Sequence, residues 1–120
     1  ITDMPIVECP QVENIIAPQA QTNTEMTAEK AGSFLEIKGT VDEKYIRPDT
    51  QIYVSVKDEN TMETKTFETF YAKTEKGDAN GFHLYLKGSS VPEGNLQLNV
   101  IAVNGSLPFI VCSKEITWNL

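Results

Sequence analysis

The chain has 120 residues, 40% hydrophobic and 22% charged, with 17 Asp and Glu against 10 Lys and Arg for a net charge of −7. That length suits a single domain with a buried core, and the composition excludes a disordered chain. The acidity argues against nucleic acid and anionic membrane surfaces as partners, and no run approaches the ~20 apolar residues of a spanning helix, so no membrane insertion is expected.

The chain opens on Ile1, with no basic and apolar leader pattern. A trimmed or processed product is expected, with any signal peptide or anchor outside it. Residues 1–32 differ from the rest and read as N-terminal edge strands and a loop. The pieces PIVECP and VENIIAP each end in a proline, which suits an edge strand or its end. Gln19 to Gly32 has no strong period and reads as a loop, with one helical turn near Met26–Lys30.

From Ser33 the pattern is two-fold, and residues 33–120 form the core of the same single domain. Leu35, Ile37, Gly39 and Val41 alternate with Glu36, Lys38 and Thr40. DEKYIRPDT breaks the run, with Pro48-Asp49 as a turn signal. Ile52, Val54 and Val56 then alternate with Tyr53, Ser55 and Lys57. TKTFETFYAKTE is rich in Thr and aromatics, but Phe67, Phe70 and Tyr71 cannot all share one face. A bulge or a switch between sheets is expected there. Asp78-Ala79-Asn80-Gly81 makes the next turn. Phe82, Leu84 and Leu86 follow on one face, and Leu96, Leu98, Val100 and Ala102 on one face of the next strand. Asn104-Gly105 is the strongest hairpin signal, and the last strand runs from about Pro108 to Trp118. Strands recur every ~10–15 residues with turn chemistry between them. The expected fold is an all-β Greek-key sandwich of about seven strands, with these alternating apolar residues as its core.

Two cysteines, Cys9 and Cys112, sit near opposite ends of the chain. If the first and last strands lie side by side, a Cys9–Cys112 disulfide staples them. In the chain-entropy account, closing a loop of that length is worth ~4–5 kcal/mol. The alternative is two buried thiols. The disulfide is the expectation carried forward, and with it an oxidising, extracytoplasmic compartment: cell surface, periplasm or secreted.

Chemistry is sparse. His83 is the single histidine, so no His-based metal cluster is possible, and it faces away from Phe82 and Leu84. No nucleophile elbow or phosphate-binding loop occurs. The acidic pairs Asp42-Glu43 and Asp58-Glu59 fall in turns beside Lys44 and Lys57, where solvated roles are expected. Lys57 to Asn60 and Gly77 to Gly81 offer oxygen ligands for calcium, but without the spacing of a calcium loop. Asp78 and Asn80 read as turn residues. No cofactor, no metal and no catalysis are expected. Tyr53, Tyr85 and Tyr71 are the candidate binding residues, because exposed tyrosines stack on sugars or anchor protein interfaces. Ile101 and Val103 also face away from the core. Asn104-Gly105-Ser106 fits a glycosylation sequon.

LEIKGTVD, QIYVSVKDE, FETFYAKTEKGDANGFHLYLKG and VPEGNLQLNVIAVNG follow one another in an order that resembles bacterial immunoglobulin-like domains of cell-surface and secreted proteins. The carrying pieces are Gly39-Thr40-Val41, Asp78 to Phe82, and Gly94 to Gly105, and the likeness spans residues 33–118. The antibody arrangement of Cys, Trp and Cys is missing, since Trp118 follows both cysteines. The resemblance implies an immunoglobulin-like sandwich acting as a non-catalytic spacer, adhesion or protein-interaction module of a larger cell-envelope or secreted protein. A carbohydrate-binding module using the exposed tyrosines is the alternative. The expected partner is a protein or a cell-surface polysaccharide.

Overall fold

The structure is a computed structural model that describes residues 9–71 and 81–119. Two antiparallel sheets pack face to face as a β-sandwich, and the described residues contain no α-helix. The first sheet, sheet A, has the order β1-β5-β4-β8-β9: β1 is Gln11–Val12, β4 Thr50–Asp58, β5 Thr64–Glu68, β8 Gly94–Asn104 and β9 Leu107–Trp118. The second, sheet B, has the order β2-β3-β7-β6: β2 is Glu25–Ala31, β3 Phe34–Thr40, β6 Phe70–Tyr71 and β7 Gly81–Lys87.

Alternation builds the core. Successive side chains of a strand point to opposite faces, so a two-fold apolar pattern turns one face inward. Leu35, Ile37 and Val41 meet Phe82, Leu84 and Leu86 on sheet B's inner face, all at most 1% exposed. Ile52, Val54, Val56, Leu96, Leu98, Val100 and Ala102 form the facing layer, none above 5% exposed. Every core residue expected from the alternation is buried. Met26, Phe67, Val91, Val111 and Trp118 join them.

Two hairpins use the same dipeptide. Ala31 pairs with Phe34 across Gly32-Ser33, and Asn104 pairs with Leu107 across Gly105-Ser106. The glycines have φ of 60° and 62°, which a two-residue turn with glycine first requires. Asn104 is therefore the last paired residue rather than a turn residue, and its Oδ1 accepts from the Thr50 hydroxyl at 2.6 Å.

The stretch 19–32 corrects the sequence reading. In place of a loop with a helical turn at Met26–Lys30 stands the seven-residue strand β2, paired along its whole length with β3. Only Met26 on it is buried. An edge strand with one buried side chain carries almost no apolar period, and its backbone pairing overrides the helix-forming residues it contains. The ambiguous aromatic stretch does switch sheets. β5 pairs with β4 in sheet A, β6 pairs with β7 in sheet B, and Thr69 between them donates its hydroxyl to the Ile52 carbonyl at 2.8 Å.

Residues 13–20 cross the outer face of sheet A from one edge to the other. Near β5, the Asn14 amide donates to the Thr64 carbonyl and accepts from the Thr66 hydroxyl. At the far edge, Ile110 donates to the Pro18 carbonyl and accepts from Ala20 N–H. Beneath runs a polar row: Gln19 to Ser113 at 3.1 Å, Ser113 to Asn99 at 2.6 Å, Asn99 to Ser55 at 3.3 Å. Ile101, which also points to this face, is only 1% exposed. A buried polar group left without its partner is costly. Asn99→Ala, which strands the buried Ser55, is expected to cost about 1–3 kcal/mol in urea unfolding; no loss would show that the row contributes nothing to stability.

Candidate binding surface

The sandwich has two outer faces, and they differ. Sheet A's is crossed by residues 13–20. On sheet B's, β3 presents Glu36 and Lys38, β7 presents His83 and Tyr85, and β6 presents Phe70. The register sets Lys38 beside His83 and His83 beside Phe70. Phe70 is 53% exposed, although a large apolar ring on a two-sheet protein has every reason to be inside. The His83 and Tyr85 rings lie 6.0 Å apart and 3° from parallel. A hydrogen bond to Glu36 holds the Tyr85 proton and raises its pKa, with burial adding to it. Lys38 Nζ lies 4.0 Å from Glu36 Oε1. The arrangement is a row of rings flanked by a carboxylate and an ammonium group. It can stack on and hydrogen-bond a ligand.

The three candidate tyrosines do not converge. Tyr53 stands half-buried on sheet A's outer face, in register with Ile101. Tyr85 stands on sheet B's. Tyr71 is paired with Phe82 and points inward against the core. Its hydroxyl is buried and has no hydrogen-bond partner among the described residues, and burial raises its pKa. Removing an unsatisfied hydroxyl removes its desolvation penalty. Tyr71→Phe is therefore expected to leave stability unchanged or raise it by up to about 1 kcal/mol, read from the urea midpoint. A clear loss would mean that the hydroxyl has a partner in solution.

The disulfide expectation is overturned: no bond joins Cys9 and Cys112, and both remain thiols. Cys9 lies at the β1 side of the sandwich, its N–H bonded to the Tyr85 carbonyl. Cys112 lies on β9, at the opposite edge of sheet A, with β5, β4 and β8 between. A disulfide needs Cα atoms roughly 4.4–6.8 Å apart, and β1, which begins two residues after Cys9, stands four strand spacings, about 19 Å, from β9. The first and last strands are thus the two edges of one sheet, not neighbours. Reduction should leave the native mass unchanged. An alkylating reagent should reach Cys9, 3% exposed, only on unfolding. It should label Cys112 slowly, because burial raises that thiol's pKa and lowers its thiolate fraction. A two-hydrogen mass gain on reduction would reverse this assignment.

Among the described residues no three of His, Cys, Asp and Glu come together as a metal site, and no helix is long and apolar enough to cross a membrane. In the Lys57–Asn60 turn, Asp58 is buried rather than solvated as expected, because its Oδ1 turns back to accept from Asn60 N–H at 2.9 Å. Asp78 and Asn80 lie outside the described residues. Sequence reading placed His83 outward but missed Phe70. The signal available was the conflict among Phe67, Phe70 and Tyr71, which leaves one ring exposed. No protein-family profile, curated protein or solved structure matches the chain.

Proposed function

We propose that the chain is an immunoglobulin-like Greek-key module, exported as part of a larger cell-envelope or secreted protein, that binds a neighbouring protein without catalysis. The strand order supports the fold. The sheets hold four and five strands; β2-β3-β7-β6 facing β4-β8-β9 is compatible with the four-on-three order of an immunoglobulin constant-type sandwich, with β5 and β1 added beyond β4. The observation that carries the function is the Phe70–His83–Tyr85 row on sheet B, exposed at Phe70 and His83 and half-buried at Tyr85, while the chain itself crosses the other outer face. Exposed rings ringed by polar groups are the composition of an interface centre.

The experiment is a localisation followed by a binding comparison. The full gene product, expressed with its own flanking sequence, should be cut by protease added to intact cells. A lone chain of this length retained in the cytoplasm would overturn the reading of an exported module. Retention of the parent's adjoining domains or of cell-surface protein should fall at least tenfold in a Phe70→Ala/His83→Ala variant. Unchanged retention would overturn the assignment of the face. The same face favours a second reading, polysaccharide binding, because parallel rings beside Glu36 and Lys38 suit a sugar ring. Glycan-array signal lost in Tyr85→Ala would replace the protein partner with a polysaccharide.

A further inference from the structure

We propose that the cleft between the sheets at the β4–β5 turn binds a small apolar carboxylate, a medium-chain fatty acid. This site is separate from the ring row and does not depend on it. The cleft opens where β5 begins and where a short 3-10 turn, Gly88–Ser90, follows β7. Its volume is about 300 Å³, at the small end of ligand pockets. The floor is apolar: Val56, Phe67, Leu86 and Val91, each 7% exposed or less.

The polar group that selects a ligand is Lys65. Strand alternation turns it the same way as Phe67, and its register partner is the core residue Val56. A lysine therefore projects between the sheets, half-buried, over an apolar floor. Among the described residues it forms no ion pair within 4.0 Å. The carboxylate of Asp58, on the same wall, is turned into its own backbone through the Asn60 N–H, and Glu63 is exposed on the rim. Ser89 and Ser90 bring exposed hydroxyls to the opposite lip. An inward lysine near a sheet edge also serves to discourage strand pairing. Here, however, Asn14 already caps that edge at the Thr64 carbonyl, and the lysine stands over open volume rather than solvent alone. A ligand that fits has an apolar tail for the floor and an anionic head for the ammonium group.

The test is a two-dimensional amide NMR titration of the whole chain with octanoate, octanol and octylamine. Octanoate should shift the amides of Val56, Phe67, Leu86 and Val91 saturably, and octylamine should not. Lys65→Gln should weaken octanoate about tenfold, the loss of one charge-assisted contact, while Lys65→Arg retains it. Val91→Phe, which fills the floor, should abolish binding without moving amides of the ring row. Since Lys65 is not part of the packed core, Lys65→Gln should keep a folded spectrum. No saturable shift at the cleft, equal binding of octanoate and octylamine, or unchanged affinity in Lys65→Gln would each overturn the proposal. A shift confined to Phe70, His83 and Tyr85 would overturn it too, and would leave the reading of the ring row untouched.

Discussion

Gly39→Val is expected to detach β2 from the sandwich. Gly39 sits opposite Met26, and a Cβ built on it falls onto the Glu25 carbonyl and within 2.9 Å of the Met26 Cα. The obstacle is backbone, which has no rotamer to change, so one strand has to move. Forced overpacking costs about 1–3 kcal/mol where side chains yield, and a backbone wall puts this case at or above the upper end. Seven paired residues and the burial of Met26 depend on that contact. Gly81→Ala is the control, because its Cβ meets only the Gly39 carbonyl at an ordinary 3.6 Å. Hydrogen exchange should show β2 amides losing protection in Gly39→Val alone, with the urea midpoint falling in step. Equal behaviour of the two variants would show that β2 shifts at little cost.

The largest loss from a single truncation is expected at Phe82. It is 1% exposed, the largest of the fully buried side chains, and faces Tyr71 and Gly39 across its own sheet. Phe82→Ala should cost about 3–5 kcal/mol, transfer of the ring plus the cavity it leaves. Against a total of roughly 5–15 kcal/mol for a domain, that lowers the melting temperature by roughly 10–25 °C. Phe70→Ala, one strand away and 53% exposed, should stay within about 0.5 kcal/mol and fold normally. The contrast separates the two roles an aromatic residue takes on adjacent strands. If Phe70→Ala proved as destabilising as Phe82→Ala, its ring would belong to the packing and the proposed interface would lose its centre.

The difference between these two phenylalanines shows where reading stops. Leu35 to Val41, Ile52 to Val56, Phe82 to Leu86 and Leu96 to Ala102 were legible because each strand has one dry face and one wet face, and that contrast is written as alternation. The hairpin at Asn104-Gly105-Ser106 was legible too. Ala31-Gly32-Ser33-Phe34 carries the same Gly-Ser turn, yet no apolar rhythm preceded it to announce a strand. β2 is an edge strand that buries one side chain and is held by backbone bonds, which any residue but proline supplies.

From the linear order of residues alone came the all-β class, the inner face of each central strand, the irregularity near Phe67–Tyr71 and the outward position of His83. Those follow from local rules, the pleat and the turn, that act over two to four residues. Only the tertiary structure decided that Cys9 and Cys112 stand at opposite edges, that Tyr71 points inward, that residues 13–20 cross one outer face and that Lys65 overhangs an apolar cleft. Each depends on which distant strands became neighbours. Sheet pairing is chosen by the summed burial of the whole chain, so no single segment encodes it.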